Sequence, residues 1–137
     1  MDAYQQELVR DLNPDQRMAV ESLDGPLVIF AGAGSGKTRV ITSRIASLIH
    51  TGVDPRKILA LTFTNRAATE MKQRAIMLHP KAVGSQISTF HSCCARWLRE
   101  FADELGFDSN FTILDDSDSK SVLKLSLIHI SEPTRPY

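Results

Sequence analysis

The sequence predicts an α/β fold in which helices cover both faces of a parallel sheet, and three observations support this prediction. Short apolar runs typical of buried strands alternate with longer segments whose apolar residues recur at helical spacing. Each strand-like run ends in glycine or small polar residues, and a helix-like segment then follows. The chain has 137 residues, a length that suits about one domain.

Composition and charge fit a globular protein but give no argument for a nucleic-acid partner. Hydrophobic residues make up 42% of the chain and charged residues 23%, which are ordinary values for a folded domain. Lys plus Arg and Asp plus Glu both number 16, so any basic surface has to be local. The first residues are too polar for a signal peptide, and the apolar runs are too short to cross a bilayer. We therefore expect no membrane partner.

The cysteines predict a reducing compartment. Cys93 and Cys94 are adjacent, which is poor geometry for a disulfide between them. No Cys/His spacing typical of a zinc site occurs in the sequence. A reduced, intracellular protein located in the cytoplasm is the simplest interpretation.

The first half of the chain contains two predicted helices and one predicted strand. Asn13 suits the cap of a helix that begins at Pro14, and Gln16 stands where a capping box places Glu or Gln. A buried strand is predicted from Leu27 to Ala31. The next helix carries apolar residues at helical spacing and ends near Gly52. Those apolar residues are Val40, Ile41, Ile45, Leu48 and Ile49.

The second half repeats the alternation of strand and helix. Strands are predicted at Ile58–Phe63 and Gln86–Phe90, and a short strand or extended piece is predicted at Phe111–Leu114. Asn65 is a candidate cap for the helix after the first of these strands, with Ala67, Ala68, Met71 and Ala75 on its buried face. Asp115 or Asp116 is a candidate cap for a last helix over residues 117–124.

The segment from Ala31 to Thr38 has the pattern of a phosphate-binding loop between a strand and a helix. Small residues let the backbone wrap closely around phosphates, with successive N–H groups pointing inward. The following helix adds roughly half a positive charge at its N-terminus. Lys37 is expected to bridge the outer phosphates, and Thr38 to place its hydroxyl on Mg²⁺. The residues expected to bind the nucleotide are Ala31, Gly32, Ala33, Gly34, Ser35, Gly36, Lys37 and Thr38.

The loop alone indicates a nucleoside triphosphate without naming a reaction, and a glycine-rich turn that binds no ligand is the alternative. Its position relative to the strands adds information. Ligands of parallel sheets bind at the carboxyl ends of the strands. The loop, the junction Thr62–Asn65 and the junction Thr89–Ser92 all lie at such ends. We therefore expect the three to form one working surface.

Several segments resemble motifs of superfamily 1 DNA helicases, in the same order and at the same spacing. Leu12–Gln16 precedes the loop as a Q motif does. Thr62–Ala68 resembles motif Ia, and Ser88–Ser92 resembles motif Ib. Phe111–Asp115 resembles the stretch beyond motif Ib. The match covers about residues 8–124 and indicates the UvrD/Rep/PcrA family, in which an alanine at the first loop position is common.

The resemblance implies a function and roles for residues. It implies an incomplete P-loop NTPase domain of RecA-like fold, belonging to an ATP-dependent 3′–5′ DNA helicase that acts on single-stranded DNA and duplex junctions in repair or replication. Gln16 would read adenine, although its capping role is an alternative, and Arg39 would contact the nucleotide unless it is an ordinary exposed arginine. Phe63 would stack on bases, or else be a core residue at a strand end. The implied DNA-contacting residues are Thr62, Phe63, Thr64, Asn65, Thr89, Phe90, His91 and Ser92.

Two parts of the family's catalytic apparatus do not occur in the sequence. It contains no Asp-Glu-x-Gln-Asp segment, which in the family holds Mg²⁺ and positions the attacking water. It also contains no second motor domain, which supplies an arginine worth a factor of about 10³ to 10⁵ in related NTPases. We expect this chain alone to bind nucleotide weakly and not to unwind DNA.

The last thirteen residues differ in character from the rest of the chain. The stretch from Leu125 to Arg135 resembles the translation of a transposon-based sequencing-library adaptor. The sequence therefore predicts a motor-domain segment over residues 1–124 and a non-native tail over 125–137. Genomic sequence beyond the Lys124 codon tests this prediction.

Two other functions remain open from the residues alone. A different P-loop enzyme, such as a small-molecule kinase, would need an acceptor pocket and a lid. A non-catalytic nucleic-acid-binding module would have no use for the Lys37–Thr38 pair. The sequence does not decide the oligomeric state.

Overall fold

The structure is a computed structural model that describes residues 2–114 and 116–131, with side chains as far as residue 127. The chain divides into two compact units, residues 1–95 and 96–137. Within the described ranges, no helix is long and apolar enough to cross a membrane. The phosphate loop and both sheet junctions lie in the first unit.

Three helices form the first part of unit one. They are α1 (Ala3–Val9), α2 (Pro14–Glu21) and α3 (Lys37–His50). The predicted helix start at Asn13 is confirmed, and α1 is a helix that the sequence analysis did not predict. Apolar side chains from all three helices form one buried cluster, which consists of Val9, Ala19, Val20 and Val40.

Aromatic and histidine side chains hold α1 against its neighbours. The Tyr4 ring stacks on His50 with 4.4 Å between centroids, and its hydroxyl donates to the carbonyl of Leu78 at 2.8 Å. Burial raises the pKa of Tyr4. Burial lowers the pKa of His79, and the nearby charges of Lys81 and His50 add to this effect.

The sheet has two parallel strands, β1 (Leu59–Thr62) and β2 (Gln86–Thr89). Helix α4 (Asn65–Leu78) crosses between them, as parallel pairing requires. Leu59 pairs with Gln86 and Thr62 with Thr89, so the two strands end at the same level. Helix α5 (Phe90–Glu100) leaves directly from β2. Two 3-10 turns, Pro55–Lys57 and Pro80–Gly84, flank these elements.

The main core lies between α3, α4 and the sheet. Its buried members come from every element around it and are Ile45, Ile49, Ile58, Met71, Ala75, Ala82 and Ile87. The predicted buried face of α4 is largely confirmed, because Ala68, Met71 and Ala75 are buried. The cap of α4 is Thr64 rather than the predicted Asn65, because the Thr64 hydroxyl accepts from the N–H of Ala67 at 3.2 Å.

The α/β class is confirmed, but one predicted strand is absent. Residues 27–31 form no strand, and Val28 and Phe30 are 74% and 94% exposed. A strand is stabilised by hydrogen bonds to a neighbour, and no other segment of residues 2–114 or 116–131 pairs with this one. The predicted strands at 58–63 and 86–90 are confirmed with slightly shorter bounds.

Unit two contains the end of α5 and two further helices, and the described residues 106–114 between those two helices form no regular secondary structure. Helix α6 (Ala102–Leu105) ends at Gly106, whose φ of 74° lies in the left-handed region. Helix α7 spans Asp116–Ser131, whereas Asp115 lies outside the described residues. Residues 111–114, for which the sequence predicted either a short strand or an extended piece, do not form a strand. Helix α7 crosses residue 124 without a break, so the boundary expected there stays a prediction.

Candidate functional site

The phosphate loop owes its shape to two glycines. Gly34 and Gly36 have φ angles of 73° and 79°, which is the left-handed region that residues with a Cβ rarely adopt. Gly36 is the N-cap of α3, so Lys37 and Thr38 occupy the first turn of that helix. This arrangement aims the N-terminal N–H groups of α3 at the space in front of the loop, where an anion is favoured.

The charged and polar groups of the loop face its own backbone. Lys37 Nζ donates to the carbonyls of Gly32 and Ala31 at 2.5 and 3.2 Å. The Ser35 hydroxyl donates to the Gly32 carbonyl at 2.7 Å. The ammonium group of Lys37 is thereby held over the loop, close to the N-terminus of α3.

Thr38 has the chemistry expected of a ligand for a magnesium–nucleotide complex. Its hydroxyl has no hydrogen-bond partner among the described residues, so its lone pairs are available. Mg²⁺ prefers a few protein oxygens together with phosphates and water. No group of three or more His, Cys, Asp or Glu side chains in the described part of the chain suits a metal ion. The residues therefore fit a metal that arrives with the phosphates of a nucleotide.

Gln16 connects α2 to the loop. The predicted capping box is confirmed, since Gln16 N donates to Asn13 Oδ1 at 2.9 Å and Gln16 Oε1 accepts from Asn13 N at 3.1 Å. The other end of the amide, Nε2, donates to the carbonyl of Ser35 at 3.0 Å. Both ends of the side chain thus contact protein groups, and adenine recognition by Gln16 stays a prediction.

A cleft of about 220 Å³ lies beside the loop. Residues of α2, the loop and the exposed segment before it line the cleft, and Gln16, Phe30 and Lys37 are among them. Arg39 is exposed and lies 3.6 Å from the carboxylate of Asp11. Its predicted contact with a nucleotide also stays a prediction.

Two threonines hold the sheet edge in shape. Thr62 and Thr89 end the paired strands and are both buried. The Thr62 hydroxyl donates to the carbonyl of Thr64 at 3.0 Å, and the Thr89 hydroxyl donates to Ser92 Oγ at 2.8 Å. The two buried hydroxyls therefore fix the turns into α4 and α5. The exposed side chains beyond them are in the better position to meet a ligand.

Two phenylalanines form an exposed aromatic surface at this edge. Phe63 follows β1 and Phe90 follows β2, and their ring centroids are 5.6 Å apart. Phe63 is 90% exposed and Phe90 is 46% exposed, so the alternative that Phe63 is a core residue is wrong. An exposed aromatic pair at the end of two strands offers π faces to flat, apolar partners such as nucleobases.

The remaining residues predicted to contact DNA surround this pair. Thr64, Asn65, His91 and Ser92 are exposed at the starts of α4 and α5. The parallel register of β1 and β2 brings both junctions together, as the sequence predicted. The expectation that the phosphate loop lies on the same sheet is not met, because the segment before the loop is unpaired.

A groove beside this edge was missed by sequence reasoning. It lies between α4 and β2 and is lined by Lys72, Gln73 and Ser88, among others. A signal for it existed, because Asn65, Thr69 and Lys72 recur at helical spacing on one side of α4. Without knowledge of the fold, such a polar stripe is interpreted as an ordinary solvent-exposed face of a helix.

Known proteins resemble the chain over most of its length. The UvrD/REP helicase N-terminal domain family matches residues 12–134. ATP-dependent DNA helicase PcrA of Staphylococcus aureus is 52% identical over 123 residues, and that of Staphylococcus epidermidis is 53% identical over 119 residues. Each match covers 85% of this chain and 16% of the relative, so the chain spans about one sixth of those proteins. On these matches, the chain belongs to the UvrD/REP helicase N-terminal domain family.

Proposed function

We propose that the chain is the ATP-binding front part of an ATP-dependent 3′–5′ DNA helicase that translocates on single-stranded DNA and unwinds duplexes in repair or replication. The family match and the name of the PcrA relatives support this proposal. The proposed setting is the cytoplasm. The activity belongs to a longer protein, because the relatives extend well beyond the matched segment.

In this proposal, the phosphate loop binds the nucleotide. Lys37 would turn from the carbonyls of Ala31 and Gly32 to the outer phosphates, where its charge stabilises the transferring group. The N–H groups at the start of α3 would donate to the same phosphates. Mg²⁺, when bound, would neutralise phosphate charge, with the Thr38 hydroxyl as its protein ligand. Gln16, whose amide donates to the Ser35 carbonyl, would also read a bound adenine.

In this proposal, the edge of the sheet at the ends of β1 and β2 binds the DNA. Phe63 and Phe90 would stack on successive bases, a contact that tolerates any sequence because every base has a π face. Thr64, Asn65, His91 and Ser92 would donate to sugar and phosphate oxygens around the rings. Thr62 and Thr89 would act as positioning residues, since their hydroxyls are bonded inside the turns.

The observation that carries this proposal is the parallel register of β1 and β2. It places Phe63 beside Phe90 at one edge of the unit that also contains the phosphate loop. A motor must couple a nucleotide site to a DNA track, and both candidate sites lie within residues 1–95.

The fold beyond the described sheet is also a proposal. We propose a RecA-like sheet in which Leu27–Phe30 becomes a strand once a neighbouring strand pairs with it. Within this chain, residues 1–124 would be motor domain and 125–137 a non-native tail. Genomic sequence that continues past Lys124 without this tail would support the boundary, and an intact gene ending at Tyr137 would contradict it.

A chimera tests the proposed function directly. Residues 12–124 replace the matching segment of the Staphylococcus aureus PcrA helicase, which is 52% identical in this region. We expect ATP hydrolysis that single-stranded DNA stimulates, and we expect Lys37→Ala to abolish it. Lys57→Ala removes an equal charge from an exposed 3-10 turn and serves as the matched control. A chimera that binds DNA but hydrolyses ATP no faster than its Lys37→Ala form would contradict the proposal.

The isolated chain gives a second test. We expect a fluorescent ATP analogue to bind weakly, and Lys37→Ala to weaken binding about ten- to hundredfold, since a charged hydrogen-bonding group is lost. Turnover of ATP by the isolated chain well above the Lys37→Ala level would overturn the expectation that it is inactive alone.

A further inference from the structure

Arg44 of α3 attaches the C-terminal end of α2 to α3. Its Nη1 donates to the carbonyl of Ala19 at 2.6 Å and also to the carbonyl of Ser22. Ala19 lies in the last turn of α2, and Ser22 is the C-cap of that helix. The last carbonyls of a helix have no partner within it, and they carry the negative end of the helix dipole. A half-buried guanidinium is therefore well matched to this end of α2.

Arg44 is committed to α2 and has no other role that its contacts indicate. Among the side chains that the structure describes, no carboxylate forms an ion pair with it. It also does not line the cleft beside the phosphate loop. Any effect of Arg44 on a bound nucleotide therefore has to pass through α2.

The other attachment of α2 is to the phosphate loop. Gln16 lies about one helical turn before Ala19, and its Nε2 donates to the carbonyl of Ser35 at 3.0 Å. The approach is close, because a Cβ built on Gly36 would lie 2.9 Å from the same nitrogen. A short helix thus has one hydrogen-bonded attachment to the loop and one to the middle of α3.

Between these attachments, α2 and α3 pack through small apolar side chains. Ala19 and Val20 of α2 and Val40 of α3 belong to one buried cluster. Apolar contact is non-directional, whereas hydrogen bonds weaken steeply with distance and angle. The cluster therefore holds the two helices together, and the hydrogen bonds from Gln16 and Arg44 set how α2 lies on α3.

The protein contacts of Gln16 leave half of its amide uncommitted. An amide offers two N–H donors and two lone pairs on its oxygen. One donor goes to the carbonyl of Ser35, and one lone pair accepts from the N–H of Asn13. The second donor and the second lone pair have no partner in the described part of the chain. A donor beside an acceptor matches N7 and N6 of adenine, whereas guanine presents two acceptors there.

We propose that Arg44 is a positioning residue for adenine recognition, because it holds α2 on α3 and so keeps the Gln16 amide in place beside the phosphate loop. This inference rests on the proposed function, in which Gln16 reads adenine. Without the Arg44 bonds, α2 shifts against α3, and the amide no longer meets the base while the phosphates occupy the loop. Preference for adenine is lost, whereas binding of the phosphates by the loop remains.

Competition of ATP and GTP with a fluorescent ATP analogue bound to the full chain tests this role. An amide that bonds to adenine at two atoms favours it over guanine by about five- to hundredfold. Arg44→Met keeps an apolar stem but removes the donors. We expect it to lower the ATP:GTP affinity ratio about two- to tenfold, the worth of one hydrogen bond, and to leave affinity for GTP nearly unchanged. Arg56→Met removes the same charge from the exposed turn Pro55–Lys57 and should not alter the ratio.

A double-substituted chain separates positioning from general stability. Gln16→Ala should abolish the preference for ATP, and adding Arg44→Met should then change the ratio no further. If Arg44 only stabilises the fold, Arg44→Met weakens ATP and GTP by the same factor in both backgrounds, and the proposal is overturned. Titrations in sucrose favour the folded state, and far-UV circular dichroism checks that each variant is folded.

The outcomes separate this inference from the proposed function. If the unsubstituted chain binds neither nucleotide, the proposed nucleotide site and the role of Arg44 both fail. If it binds ATP and GTP equally, adenine recognition by Gln16 fails together with this inference, whereas phosphate binding by the loop stands. If Gln16→Ala removes the preference for ATP while Arg44→Met leaves it intact, the role of Arg44 alone is refuted.

Discussion

Two apolar runs of this chain, Leu27–Phe30 and Leu59–Thr62, look alike in sequence but differ in structure. Both precede a small polar turn and a helix. The second is strand β1 and pairs with β2 in parallel register. The first is exposed and forms no strand. The difference shows that an apolar run becomes a strand only when a neighbouring strand satisfies its backbone.

The exposed phenylalanines of the two runs, Phe30 and Phe63, also differ in their surroundings. Phe30 and Phe63 are similarly exposed, at 94% and 90%. Phe63 faces a second ring, Phe90, because the paired strands bring their ends together. No ring contact involves Phe30 among the described residues. Exposure alone therefore does not bring two rings together, whereas a paired sheet edge does.

The loop after the unpaired run nevertheless has an ordered shape. Its left-handed glycines, the cap of α3 and the bond from Gln16 involve local backbone or the adjacent helix. None of these contacts requires the sheet. The shape of the phosphate loop therefore does not depend on pairing of the segment before it.

The largest expected effect is a difference in stability between a substitution in the paired run or its partner strand and one in the unpaired run. Ile87→Ala, in the paired sheet, should lower the free energy of unfolding by about 2 to 5 kcal/mol, because it leaves a cavity in the core. Phe30→Ala should change it by less than about 0.5 kcal/mol, because the ring is exposed. Urea unfolding measures both. A large loss in Phe30→Ala would show that residues 27–30 are packed in solution.

The next effect is a difference in DNA affinity between substitutions of the two exposed phenylalanines, Phe63 and Phe30. Phe63→Ala should weaken binding of single-stranded oligonucleotides by about 1 to 3 kcal/mol, the worth of one stacked base. Phe30→Ala removes a ring of similar exposure from the unpaired run and should leave the affinity unchanged. Anisotropy titrations compare the two variants. Equal losses would contradict the special role of the paired edge.

A smaller effect tests whether the loop is shaped locally. Gly36→Ala forces a Cβ into a left-handed position and within 2.9 Å of Gln16 Nε2, which should cost about 1 to 2 kcal/mol of stability and weaken nucleotide binding. Gly32→Ala meets no atom within 4 Å and should not destabilise the chain. Thermal unfolding and nucleotide titration distinguish them. Similar behaviour of the two variants would contradict a requirement for glycine at position 36.

The smallest expected effect is a fall in stability at acid pH, which involves the end of α4, the helix that joins the paired strands. His79 follows α4, and burial lowers its pKa below the ordinary 6.5, with Lys81 and His50 adding to the shift. The unfolded chain therefore binds more protons, and stability should fall as the pH drops from about 7 to 5. His79→Phe keeps a ring beside Tyr4 and should flatten this dependence. An unchanged pH profile of the melting temperature would rule out His79 as the source.

Local signals in the sequence were reliable. The capping box at Asn13, the left-handed stop at Gly52 and the start of α3 after the loop depend on neighbours within a few residues. The cap of α4 was misplaced by one residue because Thr64 and Asn65 are both good caps, and the geometry of the turn selected Thr64.

Signals that depend on distant neighbours were less reliable. The strand at 27–31 needs a partner that no described segment supplies. The groove needs α4 and β2 side by side, and their residues are separated in sequence by a 3-10 turn. Motif resemblance located the candidate DNA residues, but only their positions showed that Thr62 and Thr89 are buried while Phe63 is exposed.

The sequence alone determined the glycine turns of the loop Ala31–Thr38, the capping box at Asn13 and the family, because glycine conformations, capping side chains and motif order depend on residues close together in the chain. The tertiary structure decided which apolar run became a strand, that Phe63 and Phe90 meet, and that Ser88 is shielded without a partner. These features require residues far apart in the chain to come together. Hydrogen bonds between strands and shielding from water exist only after that has happened.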